Sequence, residues 1–238
     1  MLESGTDAMC GHQDHRGLNF ADDMIMMPLQ CSTQWDALGH VFYEQKMFNG
    51  YPMSLVGSHG AQKNSVVAYK EKLVGRGVLL DIARLRGVER LADGEPIYPE
   101  DLDKAVERAG VSVGEGDFVL VRTGQTGWCR RNTWGAYAAG DAPGLTLDTS
   151  RWLFDKRVAA VAVDTWGAEV RPNEVRELFQ PWHHVVIPNM GLCVGEIFDL
   201  DKIGAACERT GRYEFLFTAP ALPIEGAVGS PINPLAIL

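Results

Sequence analysis

The chain has 238 residues, 46% of them hydrophobic and 22% charged, and a formal net charge of −9. This is the composition of an ordinary globular protein of one domain, long enough to bury a core without disulfides or a structural metal. The negative balance, with no basic run longer than Arg130-Arg131, excludes a nucleic-acid backbone as partner, and no apolar window reaches the length of a membrane span.

Residues 1–23 (MLESGTDAMCGHQDHRGLNFADD) are polar and irregular, as in an arm or loop that needs a neighbour to hold it. Cys10, His12 and His15 have the spacing of a metal clip, which at the start of a chain arises more often by chance. Residues 24–28 are apolar and extended, and they lead into the polar run QCSTQWDALGH (30–40). GVLLDIAR (77–84) has the β-rich, Gly-preceded pattern of a buried strand. Pro99, Glu100 and Asp101 then open a helix with Leu102, Ala105, Val106 and Ala109 at helical spacing and Gly110 as its stop. FVLVRTG (118–124) reads as a second strand, followed by a loop rich in Trp, Arg and Gly, a helix over 149–156, and a third strand, VAAVAVDT (158–165).

HHVVIP (183–188) and the stretch around 194–198 are predicted as two more strands, 200–207 as a helix and YEFLFTAP (213–220) as a strand. The proline-bearing tail reads as a fixed loop ending in an apolar strand. Strands alternating with helices predict an α/β fold, and the lack of a repeat or a Gly/Ser linker predicts a single domain over 1–238. The five cysteines form no C-x-x-C pair. With no leader-like start, this predicts a reduced, cytoplasmic setting.

The polar run at 30–40 concentrates the chemistry. Asp36 and His40, a carboxylate and an imidazole four residues apart, can share a metal or pair as orienter and general base. Equally, Asp36 can cap a helix starting near Ala37, with His40 on its first turn. Glu196 lies in the apolar run LCVGEIF, where a carboxylate needs a partner. Asp164 closes an apolar strand, where α/β folds place functional groups, and an Asx turn to the following loop explains it as well. No G-x-S-x-G elbow, G-x-G-x-x-G or Walker motif is present.

The run at 30–40 resembles the H-x-x-x-H-x-D-x-P-x-H signature of the cyclase family, which includes kynurenine formamidases and isatin hydrolases. Asp36 and His40 match its Asp and last His; Gln30 and Gln34 stand at its first two His positions and Leu38 at its Pro. Thr33 to His40 match a TQWD-x-L-x-H subgroup. GDFVLVRTG (116–124), the Pro143-Gly144-Leu145 loop, VAAVAVDT before Trp166, HHVVIPNMGLCVGE (183–196) and GAVGSP (226–231) continue the similarity in order. Relatives carry a further stretch upstream of Gly5, so the resemblance implies a chain lacking the N-terminal part of the family fold.

The resemblance implies a swivelling β/β/α fold and an arylformamidase-like hydrolase of a formamide or a cyclic amide or ester, acting on a small aromatic substrate. It implies His40 and Glu196 as catalytic residues and Gln30, Gln34, Asp36 and either His183 or His184 as metal ligands. The family's spacing to Glu196 selects His184, whereas the Gln180-Pro181-Trp182 context selects His183. With glutamine at two ligand positions the donor set is oxygen-rich, which favours manganese over zinc. Phe42 and Trp166 are the candidates for a wall against a flat ring, and a homo-oligomer, dimer or tetramer, is implied. A catalytically inactive relative that binds a small ligand is the competing expectation.

Overall fold

The computed structural model describes residues 2–4 and 22–238. Cys10, His12, His15 and most of the polar arm lie outside the described residues; its two ends, Leu2–Ser4 and Asp22–Met24, pair as an antiparallel ribbon. No helix among the described residues is long and apolar enough to cross a membrane.

Eight strands form the central sheet: β1 (Gln34–Asp36), β2 (Val74–Asp81), β3 (Phe118–Arg122), β4 (Ala160–Val163), β5 (Cys193–Glu196), β6 (Glu214–Thr218), β7 (Gly229–Pro231) and β8 (Leu235–Ile237). Their order is β7-β1-β5-β4-β3-β2-β6-β8. The middle four, β5-β4-β3-β2, are parallel. An antiparallel pair closes each flank, β1 with β7 on one side and β6 with β8 on the other.

The parallel strands are apolar without alternation because both faces are covered. Val78, Leu80, Val119, Val121, Val161, Val163 and Val194 share one face with buried residues of α2 (Pro99–Ala109), α4 (Thr149–Lys156) and α5 (Pro181–Val186). Leu79, Leu120, Ala160, Ala162 and Cys193 share the other with Trp35 and with Cys207 of α6 (Asp201–Thr210). Two shorter helices, α1 (Ile82–Leu85) and α3 (Gln125–Arg131), follow the C-terminal ends of β2 and β3.

Two sequence expectations are corrected. Residues 183–188 are not a strand: His183 and His184 lie in helix α5. The β-branched run Val185-Val186-Ile187 carries a strand signal, but Pro181 occupies the first turn of a helix, where its missing N–H costs nothing. Trp182 and Val186, one helical turn apart, are both fully buried, so tertiary packing decides for helix. The Trp- and Gly-rich loop after residue 124 likewise contains α3. Gly127 reads as a breaker there, yet it is the point where the Asp201 carboxylate packs against that helix and a Cβ would collide with it.

Candidate active site

Strand pleat builds the first half of the site. In β1, Gln34 and Asp36 point to one face and Trp35 to the other. Register with β5 pairs Gln34 with Glu196 and Asp36 with Val194, so Gln34, Asp36 and Glu196 share the face that carries α5. Across the sheet the Trp35 indole lies over Gly195, whose missing Cβ makes room for it, and its Nε1 donates to the Ala219 carbonyl at 2.7 Å. One face of these strands is chemistry and the other is core.

Helix α5 supplies the second half. Its leading N–H groups have no intrahelical partner, and the Glu169 carboxylate takes two of them. Trp182 N donates to Oε2 at 3.2 Å and His183 N to Oε1 at 3.1 Å. The same Oε1 lies 2.7 Å from His183 Nδ1, so one buried carboxylate both caps the helix and orients the imidazole. His183 Nε2 is thereby aimed at Glu196, 3.1 Å from its Oε1.

Asp36, His183 and Glu196 each offer a ligand atom within 4.8 Å of the others, and all three are buried. The Gln34 amide nitrogen completes the ring, 3.4 Å from Asp36 Oδ1 and 3.2 Å from Glu196 Oε2, while its Oε1 is buried and has no partner among the described residues. His40 stands at the rim, about a third exposed, with Nε2 3.9 Å from Asp36 Oδ1.

Electrostatics follow from burying several charges together. Burial, then the charge of Glu196, pushes Asp36 well above the usual carboxylate range. Burial also works against a charged His183, but its hydrogen bonds to Glu169 and Glu196 outweigh that and lift it to about 10. His40 is lowered, chiefly by burial, with the pull of Glu196 opposing; a neutral imidazole near pH 7 suits a proton acceptor.

The arrangement fits a hard divalent cation. Two carboxylates and an imidazole converge, and the carboxylate on Nδ1 fixes which ring nitrogen faces the centre. The orphaned Gln34 Oε1 is the atom a cation would use, since turning the amide over exchanges its two ends. A divalent cation would find one nitrogen and three oxygens here.

Other expected residues fall around this centre. Gln30 packs its amide over Gly229 of β7, which pairs with Asp36 of β1; it makes no hydrogen bond to Asp36, His183 or Glu196. Asp36 ends a strand and does not cap a helix. His184 is not among the converging ligand groups; its ring lies 6.0 Å from that of Tyr43. Phe42 is half-buried beyond His40. Trp166 lies next to the site, because Ile197 N donates to the Thr165 carbonyl at 3.1 Å, and it stacks under Arg171, 4.4 Å from guanidinium carbon to ring centre. Asp164 serves the scaffold: it accepts from Thr123 N, Thr123 Oγ1 and Gly124 N, each at 2.7 Å.

Glu169 and Arg171 were not foreseen from sequence. Their segment, GAEVRP (167–172), has no periodicity that separates buried charges from solvated ones. Its one signal is position, just past the C-terminal end of an apolar strand.

Two carboxylates from the mixed sheet and an imidazole from helix α5 converge as a candidate metal centre. The model of the Cyclase family matches residues 4–170, and the chain belongs to that family. It is 25% identical over 234 residues to isatin hydrolase from Roseibium aggregatum, covering 92% of this chain and 84% of that one. A crystal structure of a novel cyclase superposes with a TM-score of 0.90 at 35% identity, covering 100% of this chain and 80% of that chain. Isatin hydrolase A from Labrenzia aggregata, bound to benzyl benzoate, shares the fold with a TM-score of 0.66 at 21% identity, covering 99% and 82%. The fold is therefore the α/β cyclase fold.

Proposed function

We propose that the chain is a hydrolase of a carbon–nitrogen bond in a small aromatic substrate, an N-formyl or a cyclic amide, using a bound divalent cation. The convergence of Asp36, His183 and Glu196 within 4.8 Å, with His40 at its rim, carries this reading. The likeness to isatin hydrolase over most of both chains supports an amide substrate. Asp36, Glu196 and His183 Nε2 would hold the cation, with Gln34 Oε1 as a weak fourth ligand. When bound, such a cation supplies Lewis acidity toward a carbonyl oxygen and toward water.

The chain's own groups do the rest. His40, kept neutral by burial, accepts a proton from the water whose oxygen attacks the carbonyl carbon. It returns a proton to the nitrogen as the carbon–nitrogen bond breaks, leaving an acid and an amine. Glu169 holds the His183 ring in place, and Trp166 and Phe42 wall the substrate ring. The relevant form is a homo-oligomer in the cytoplasm.

A second reading has its own support. The His183 imidazolium, bonded to Glu169 and Glu196, neutralises the cluster without any cation, and glutamines stand where the family motif has histidines. That favours an inactive relative binding a small aromatic ligand. Assay of the purified chain on formanilides, isatin and lactones, with and without manganese, decides. Cation-dependent turnover is expected; none on any substrate with manganese bound favours the second reading.

A further inference from the structure

Arg171 is 4% exposed, and its Nε and Nη1 have no hydrogen-bond partner among the described residues. Among the described residues Nη2 reaches only the Trp166 carbonyl, at a long 3.3 Å. A buried cation is normally paired, because desolvating it unpaired is costly. The backbone does not leave this side chain free to escape. Arg171 is pinned to Ala142 by bonds in both directions, at 2.9 and 3.0 Å, and its guanidinium is stacked on Trp166.

What surrounds it is acidic. Glu196, Asp141 and Glu169 all act on its charge, yet none forms an ion pair with it among the described residues. Those carboxylates would repel an anion entering the site, and among the described residues Arg171 is the buried cation beside them with unused donors. A neutral carbonyl offers these donors one weaker acceptor; a carboxylate accepts from two of them at once in a charge-assisted, bidentate pair.

Aromatic surface lies alongside. A cavity of about 350 Å³ is lined by Gln125, Trp128, Trp134, Tyr137 and Asp141, and Asp141 adjoins the Ala142 that holds Arg171. Trp134 and Tyr137 meet edge to face, 5.1 Å between centroids, and Tyr137 and Asp141 both lie near enough to Arg171 to act on its charge.

We propose that Arg171 is the site's carboxylate-recognition residue, binding the acid group of an aryl carboxylate whose ring lies against Trp166 and Tyr137. This rests on the proposed function in one respect, that the substrate is the cyclic amide, whose ring-opened hydrolysis product is such an acid. The guanidinium then acts as a positioning group for the acyl end of the substrate and as the holder of the product.

Calorimetric binding of phenylglyoxylate and of its neutral methyl ester, to wild type, Arg171→Met and Arg171→Lys, tests the assignment without relying on turnover. Wild type should prefer the acid. Arg171→Met should weaken the acid by about tenfold or more, the scale of one charge-assisted hydrogen bond, and leave the ester within about twofold; Arg171→Lys should fall between. A cation that merely offsets nearby carboxylates would, when removed, change acid and ester together, and that result overturns the proposal. So does absence of acid binding to wild type. Should Arg171→Met misfold in a thermal melt, the acid-over-ester preference of wild type and its response to Arg171→Lys still decide. Turnover measured in parallel keeps the two ideas apart: Arg171-dependent acid binding without hydrolysis sinks only the proposed function, and hydrolysis with no acid preference sinks only this proposal.

Discussion

Gln34 and Glu196 stand directly opposite each other in the antiparallel pair of β1 and β5, with the amide nitrogen 3.2 Å from the carboxylate. Gln34 is therefore hydrogen-bonded into the cluster of Asp36 and Glu196. Gln30, the other glutamine at a family histidine position, packs over Gly229 one strand away.

Replacing Gln34 by His puts a second imidazole beside Asp36, His183 and Glu196, and zinc affinity should rise about tenfold or more. The gain should disappear when Asp36→Ala is added, and adding Gln30→His should contribute less. Calorimetric titration of the three variants measures this. Zinc affinity indifferent to position 34 would mean that its side chain does not share a centre with Asp36.

His40→Ala should lower kcat by about 10² to 10⁴, the usual worth of a general base, while the melting temperature stays close to wild type because the ring is partly exposed. The neutral imidazole is the active form, and burial lowers its pKa from 6.5. Activity should thus rise with pH through a midpoint below that value. A midpoint well above 6.5 in a kcat/KM profile would assign the base elsewhere.

With no cation in the centre, the hydrogen bonds to Glu169 and Glu196 outweigh burial and raise His183 from 6.5 to about 10. A base whose folded pKa is raised stabilises fully below the unfolded value and loses that contribution as pH climbs through the folded one. Stability should accordingly decline between about pH 6.5 and 10, which denaturation at a series of pH values will show. His183→Gln should cost about 3 to 5 kcal/mol at pH 7, since it strands buried carboxylates without their cation, and should flatten the decline. Metal must displace the Nε2 proton, so apparent affinity should rise about tenfold per pH unit in this range.

Asp164→Asn should destabilise by roughly 1 to 3 kcal/mol without altering metal affinity. Three donors converge on this buried carboxylate, and an amide nitrogen in place of one oxygen leaves a buried N–H unsatisfied. Denaturant melts paired with metal titration separate the two effects; a loss of metal binding in a folded variant would place Asp164 in the site.

Legibility followed the length scale of each interaction. The helices over 99–109 and 149–156 and the strands at 118–122, 160–163 and 214–218 carry their own periodicity and stops, and they are visible in the sequence. Asp36 and His40 were visible as a carboxylate and an imidazole four residues apart in a polar run, and Glu196 as a carboxylate in an apolar one. Helix α5 was not, because its decisive cap, Glu169, comes from a distant loop while Val185 to Ile187 carry a local strand signal. Which of His183 and His184 faces Glu196 also depends on that helix: neighbours there diverge by about 100°, and the loop carboxylate selects the one that turns inward.

The placement of β1 has a consequence for how the molecule comes apart. β1 is a three-residue strand inserted between β5 and β7, and it reaches the parallel core from a distant part of the chain. A ligand that bridges Asp36 on β1 with Glu196 on β5 acts as a rivet across that seam. Its binding free energy is added to the work of peeling the strand away, so the amide protons of β1 report occupancy of the centre through their exchange rates, even when no reaction is running.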